Sequence, residues 1–226
     1  MGGRTVNIQA MKRTTTIVVF LLTIAGLTAA LAKDEPGDLL DRVQAFYEAS
    51  KDYKASFRQV VTTRSPRRAF TRKGTVYFKR PGMMRWDYKV PDEVYYVSDG
   101  KVLWSYEVEQ AVAYRLEIGD SNLFHALKFL TGTGKLTQDF NAHIGEPLES
   151  GLIPVKLLPR ESERSFKSVT LLVDPATGET RETEVVDPLG NVSHLWFESP
   201  SYQDLPADRF TFHPPDGIRV QEVGPR

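Results

Sequence analysis

The chain has 226 residues with 29 basic and 29 acidic side chains, so its formal net charge is zero; 41% of residues are hydrophobic and none is cysteine. This composition is enough for one domain with a substantial core, and balanced charge argues against nucleic acid, which needs a clustered basic surface. Without cysteine there is no disulfide, no thiolate nucleophile, no Cys-ligated zinc and no lipid-modified N-terminal cysteine.

Residues 1–32 carry Arg4, Lys12 and Arg13 but no acid, followed by an uncharged run from Thr14 to Ala32. The run ends in Ala30-Leu31-Ala32, before the polar Lys33, Asp34 and Glu35. A basic start, an apolar centre and a small-residue site read as a cleaved secretory signal peptide. The alternative, an uncleaved anchor, is weakened by the threonines and glycine within the run. Removing residues 1–32 takes away three basic and no acidic side chains, which leaves a net charge of −3 on 33–226. That remainder is expected to be a single soluble domain.

Asp38 to Ser50 is helical in pattern: Leu39, Leu40, Val43, Phe46 and Tyr47 recur at three- and four-residue spacing, and Asp38 suits the first turn. The period then changes to two. Tyr53 to Val60, Gly74 to Arg80, Met84 to Tyr88, Val94 to Val97, Val102 to Tyr106 and Gln110 to Ile118 read as successive strands. The breaks fall at Ser65-Pro66, Pro81-Gly82, Pro91 and Asp99-Gly100, the spacing of an antiparallel meander. Ser121 to Leu130 reads as a second helix, apolar at Leu123, Phe124, Leu127, Phe129 and Leu130 and ended by Gly132 and Gly134. Strands resume near Asn141, Leu152, Val169, Glu182 and Val192, and Phe210-Thr211-Phe212 is the last strongly apolar piece. The expected architecture is mainly β with helices (α+β), about ten strands in one domain.

No catalytic constellation stands out. There is no G-x-S-x-G elbow, H-E-x-x-H helix, Walker loop or G-x-G-x-x-G turn. His125, His143, His194 and His213 lie far apart in sequence and in no metal-ligand spacing. The residues therefore point to a binding protein, with no catalytic residue, no metal site and no cofactor. Alternation places Val76 and Phe78, then Met84, Trp86 and Tyr88, then Val102, Trp104 and Tyr106 on one face of the sheet, together with Arg80. Such a bulky face is either an ordinary core under two helices or the wall of an apolar cavity with a helical lid. The nearly all-round apolar helix at 121–130 needs apolar neighbours on most sides. A one-residue slip of register would invert any of these faces.

Four segments in this order resemble one family. Ala55-Ser56-Phe57-Arg58-Gln59 is similar to its early A-S-F-x-Q signature, and Lys79-Arg80-Pro81 with Trp86 to its K-R-P…W strand and turn. Val97-Ser98-Asp99-Gly100-Lys101-Val102-Leu103-Trp104 resembles its V-S-D-G-K-x-L-W hairpin, and Phe210 to Gly217 its F-T-F-x-P-P-x-G end. The family is the periplasmic outer-membrane lipoprotein carriers, LolA, and the resemblance runs over about 38–220. It implies an incomplete, strongly curved antiparallel β-barrel with a helical lid over an apolar cavity. It implies a periplasmic carrier that binds the acyl chains of lipoproteins released by an inner-membrane ATP-driven transporter and hands them to an outer-membrane acceptor lipoprotein. It assigns Arg80 as a lid latch that hydrogen-bonds lid backbone, and Met84 to the position of a transfer-sensitive aromatic. The acyl-chain wall would then comprise Val76, Phe78, Met84, Trp86, Tyr88, Val102, Trp104, Leu123, Phe124, Leu127 and Leu130, in a monomer. A binder of free lipids or glycolipids, or an envelope sensor with the same fold, is the alternative reading.

Overall fold

The computed structural model describes residues 36–118, 135–160 and 166–223, all within one compact unit, Asp34–Arg226. The expected signal peptide and the expected helix over 121–130, with Leu123, Phe124, Leu127 and Leu130, lie outside the described residues.

Helix α1 spans Pro36–Ala49. Leu39, Leu40, Val43 and Tyr47 form its buried stripe, with Leu39 and Val43 fully enclosed. The stripe needs a surface to pack on, because a helix this short gains most of its stability from tertiary contact. It finds one on the strands of the second half of the chain. Strands β1 (Tyr53–Arg64), β2 (Arg67–Lys79), β3 (Met83–Val90), β4 (Val94–Ser98), β5 (Val102–Glu107) and β6 (Val112–Glu117) form an up-and-down meander. Strands β7 (Phe140–Ile144), β8 (Ile153–Pro159), β9 (Ser168–Val173), β10 (Thr180–Val186), β11 (Val192–Tyr202) and β12 (Arg219–Val223) follow.

All twelve strands join one open, curved sheet in the order β12-β6-β5-β4-β3-β2-β1-β11-β10-β9-β8-β7. The expected fold class holds, with two corrections. The described residues hold twelve strands rather than about ten, and the last of these is parallel: β12 pairs with β6, Arg219 opposite Val112. Phe210-Thr211-Phe212 lies at and beyond a single 3₁₀ turn, Ala207–Phe210, not within a strand. Pro214 and Pro215 withhold two ladder donors there, so pairing resumes only at Arg219.

The two halves of the chain meet through β1 and β11, where Phe57 faces Phe197 and Gln59 faces Leu195. One face, called inner here, carries two apolar clusters. In the first, α1 packs on β7, β8 and β9 through Val155, Leu157, Leu171 and Val173, joined by Leu136 and Phe166. In the second, Ala55, Phe57, Val76, Phe78, Met84, Trp86, Tyr88, Leu103 and Leu195 gather over β1 to β5 and β11. On the outer face, Phe210 and Leu205 cover Tyr77 and Met83.

Candidate functional site

The second inner cluster does not close on itself. A cavity of about 370 Å³ opens beside it, lined by Met84, Trp86, Tyr88, Tyr96, Leu103, Val185, Leu195 and Phe197 and, at one side, by Gln59, Arg72, Thr183 and Ser193. That volume lies within the range of ordinary small-molecule sites, roughly 300–1,000 Å³. Aromatic rings shape its wall. Phe57 meets Trp86 and Tyr88 edge-on at 5.0 and 4.9 Å, and Tyr88 meets Tyr96 at 5.8 Å. The Tyr88 hydroxyl is held neutral: burial pushes its pKa up.

The ladder explains which residues reach this wall. Met84, Trp86 and Tyr88 of β3 face Ser98, Tyr96 and Val94 of β4. Ser98 and Tyr96 face Leu103 and Ser105 of β5. Leu103 therefore shares the inner face, and Val102 and Trp104 point to the other side, against the expectation that placed them with Met84 and Trp86. Trp104 packs on Phe212 at 5.4 Å, and Tyr106 does so at 5.5 Å. The physical reason is the strand period of two. Each ladder is set by its neighbour's register, and the turn at Asp99-Gly100 brings Leu103, not Trp104, opposite Ser98. Val76 and Phe78 share the inner face and are buried in its packed part, and Met84, Trp86 and Tyr88 line the open part. Periodicity within single strands did not reveal Tyr96, Leu195, Phe197, Gln59, Arg72 or Thr183, because their convergence depends on the pairing of β4, β10 and β11.

Arg80 stands at the other end of β2, at the C-terminus of α1. Its Nη1 donates to the Glu48 carbonyl in the last turn of the helix. A cation there meets both an orphan carbonyl and the negative end of the helix dipole. Around it lies a tight crevice lined by Tyr47, Asp52, Tyr53, Phe78, Lys79, Phe197 and Tyr202. Phe197 also lines the large cavity, so the Arg80–α1 contact and the cavity share a wall. Neighbouring groups brace this end: Lys79 Nζ donates to Asp52 at 2.6 Å, and the Tyr202 hydroxyl donates to Glu179 at 2.6 Å. Burial raises the Tyr47 hydroxyl to about 12.

Among the described residues no group of His, Asp and Glu side chains could hold a metal ion, and no helix is long and apolar enough to cross a membrane. Fold and site together define a half-open β-sheet protein with an aromatic-walled apolar cavity and a helix tied to the sheet beside it. Residues 48–213 match the family model described as outer membrane lipoprotein carrier protein LolA. Outer-membrane lipoprotein carrier proteins of Methylibium petroleiphilum and Methylococcus capsulatus are 31% and 30% identical to this chain, over 81% and 80% of it and 89% and 86% of their own lengths. A crystal structure of an uncharacterized conserved protein from Thermus thermophilus superposes with a TM-score of 0.52 over 83% of this chain and 98% of its own, at 15% identity, and shares the fold. The chain belongs to the LolA family of outer-membrane lipoprotein carriers, which is a family of carriers and not of enzymes.

Proposed function

We propose that this protein is a periplasmic carrier that shields the acyl chains of lipoproteins between the inner and outer membranes. The observation that carries the reading is the aromatic-walled cavity of about 370 Å³ on the inner face. Burying a methylene is worth about 0.8 kcal/mol, so an acyl chain left in water costs on the order of 10 kcal/mol. A lipoprotein bearing such chains cannot cross an aqueous compartment uncovered. A carrier must cover the chains and also release them, which favours a wall that stays partly unfilled beside a closure that can open.

Arg80 fits the closure. Its bond to the Glu48 carbonyl ties α1 to the sheet next to the shared Phe197 wall. In the proposed cycle the chains enter after release by an ATP-driven inner-membrane transporter, the tie opens, and an outer-membrane acceptor lipoprotein takes the cargo. Residues 1–32 direct export, and 33–226 acts as a soluble monomer.

The test is a release assay. Proteoliposomes containing the transporter and a labelled lipoprotein are incubated with residues 33–226, and the soluble fraction is examined for a one-to-one complex. Lipoprotein that becomes soluble only with the protein present supports the carrier. Lipoprotein that stays in the membrane while the protein extracts free lipid supports the lipid-binding alternative and overturns the carrier reading.

A further inference from the structure

The large cavity is apolar on most of its wall but not on all of it. Gln59, Arg72, Thr183 and Ser193 come together from β1, β2, β10 and β11. The ladder brings them there: Gln59 faces Arg72 across β1 and β2, and Thr183 is paired with Leu195, two residues along β11 from Ser193. Gln59 Nε2 donates to Ser193 Oγ at 2.8 Å. The serine oxygen thus accepts from the amide and keeps its own O–H to give. Thr183 is 7% exposed, and its buried hydroxyl has no hydrogen-bond partner among the described residues. A buried hydroxyl left unpaired costs about 1–3 kcal/mol, so its presence on a cavity wall calls for a partner.

Arg72 adds charge to this corner. Its guanidinium lies 5.7 Å from the centre of the Tyr88 ring, which forms the adjacent wall. No carboxylate pairs with it among the described residues. None comes from its own hairpin either: residues 53–80 hold nine Lys and Arg side chains and no Asp or Glu. The glutamates nearest in sequence to Thr183, Glu182 and Glu184, alternate to the outer face, where Glu182 holds His194 at 2.7 Å. An apolar slot with donors and an unpaired cation at one end has the polarity of an amphiphile, tail on the rings and oxygens at the arginine.

We propose that Arg72, Thr183 and Ser193 form a head-group subsite that receives the oxygen acceptors of the bound lipid, while its chain lies along Met84, Trp86, Leu103 and Phe197. This rests on the cavity being the lipid site proposed above, and it names the polarity of the ligand and the direction in which it lies. The acceptors are either the ester and amide carbonyls of an acylated cysteine or the carboxylate of a free fatty acid. Both suit a guanidinium fork, whose five N–H donors bind paired or neighbouring oxygens.

The experiment measures displacement of N-phenyl-1-naphthylamine fluorescence from the purified protein by three probes: a tripalmitoyl-cysteinyl lipopeptide, palmitate and 1-hexadecanol. The proteins are wild type, Arg72→Leu, Arg72→Lys and Thr183→Val. Losing a charge-assisted hydrogen bond should weaken binding by about tenfold or more. The expected result is that loss in Arg72→Leu for lipopeptide, palmitate or both, partial recovery in Arg72→Lys, a smaller loss in Thr183→Val, and unchanged affinity for hexadecanol and the naphthylamine. Unchanged hexadecanol binding shows that the variants are folded. Loss for the lipopeptide identifies the carbonyls as ligand, and loss for palmitate identifies the carboxylate. Equal affinities of wild type and Arg72→Leu for both probes overturn the subsite. The carrier reading is judged separately, by the release assay on the wild-type protein.

Discussion

Arg80 and Glu48 are 32 residues apart in sequence and joined by one hydrogen bond from a guanidinium to a helix-end carbonyl. Such a contact stabilises by about 0.3–1 kcal/mol when it is partly exposed. Arg80→Leu is therefore expected to lower the melting temperature by only about 1–4 °C, while release and hand-over of lipoprotein fail. A variant that melts a few degrees lower yet transfers lipoprotein normally would show that Arg80 braces the helix and does no more. Trp86 and Trp104 make a second pair of opposites. Trp86 faces the cavity and Trp104 packs on Phe212 outside it. Trp86→Ala should weaken palmitate binding at least tenfold and Trp104→Ala by less than twofold, read in the same displacement assay. Tyr47 gives a pH dependence. Burial lifts its hydroxyl from 10.0 to about 12, and Tyr53 and Tyr202 shift upward for the same reason. The unfolded chain ionises these tyrosines near 10, so above that pH unfolding releases protons and stability falls as pH rises toward 12. The urea midpoint should drop between pH 9 and pH 11, less steeply in Tyr47→Phe.

At the scale of elements, β2 carries the tightest constraint. Gly74 lies on the inner face where the β2–β3 register shifts, and a Cβ there would come within 2.1 Å of the Asp87 carbonyl oxygen and 2.9 Å of the Phe57 ring. The Asp87 backbone cannot retreat without breaking the β2–β3 ladder. Gly74→Ala should cost about 2 kcal/mol, measured by urea denaturation. Gly37 in α1 is the control, because a Cβ there meets nothing within 4 Å. Gly37→Ala should leave stability unchanged or raise it by up to about 1 kcal/mol. The same element shows how far the sequence was legible. Alternation marked Tyr53–Val60 and Gly74–Arg80, but the strands run on to Arg64 and back from Arg67. The extra residues, Arg67, Arg68, Ala69, Phe70 and Thr71, are exposed and lack an apolar face to alternate. Strand β12 was missed for a related reason. Only its parallel pairing with β6 makes Arg219–Val223 a strand, and its side chains are mostly exposed.

At the scale of the molecule, the proposed export signal makes its own prediction: N-terminal sequencing of the protein recovered from the periplasm should begin at Lys33. The sequence by itself determined much of what is general. Its turn residues and two-residue alternation specified an antiparallel meander, because a strand that buries one face must repeat every second residue. The 39-40-43-47 spacing specified α1, because a helix turns once in 3.6 residues. Four ordered motifs carried the family resemblance that the match over 48–213 bears out. The tertiary structure alone decided which faces meet. It set Leu103, not Trp104, beside Met84, and it joined β11 to β1 so that Leu195, Phe197 and Ser193 reach a cavity built mainly by residues more than ninety positions earlier. Among the described residues it also left the Arg72 guanidinium without a carboxylate and the Thr183 hydroxyl without a hydrogen-bond partner, at the polar side of a mostly apolar wall. Alternation is a property of one strand and is written locally. Register and strand order are relations between distant segments, chosen by the packing of the whole sheet, and the polarity of the cavity follows from them.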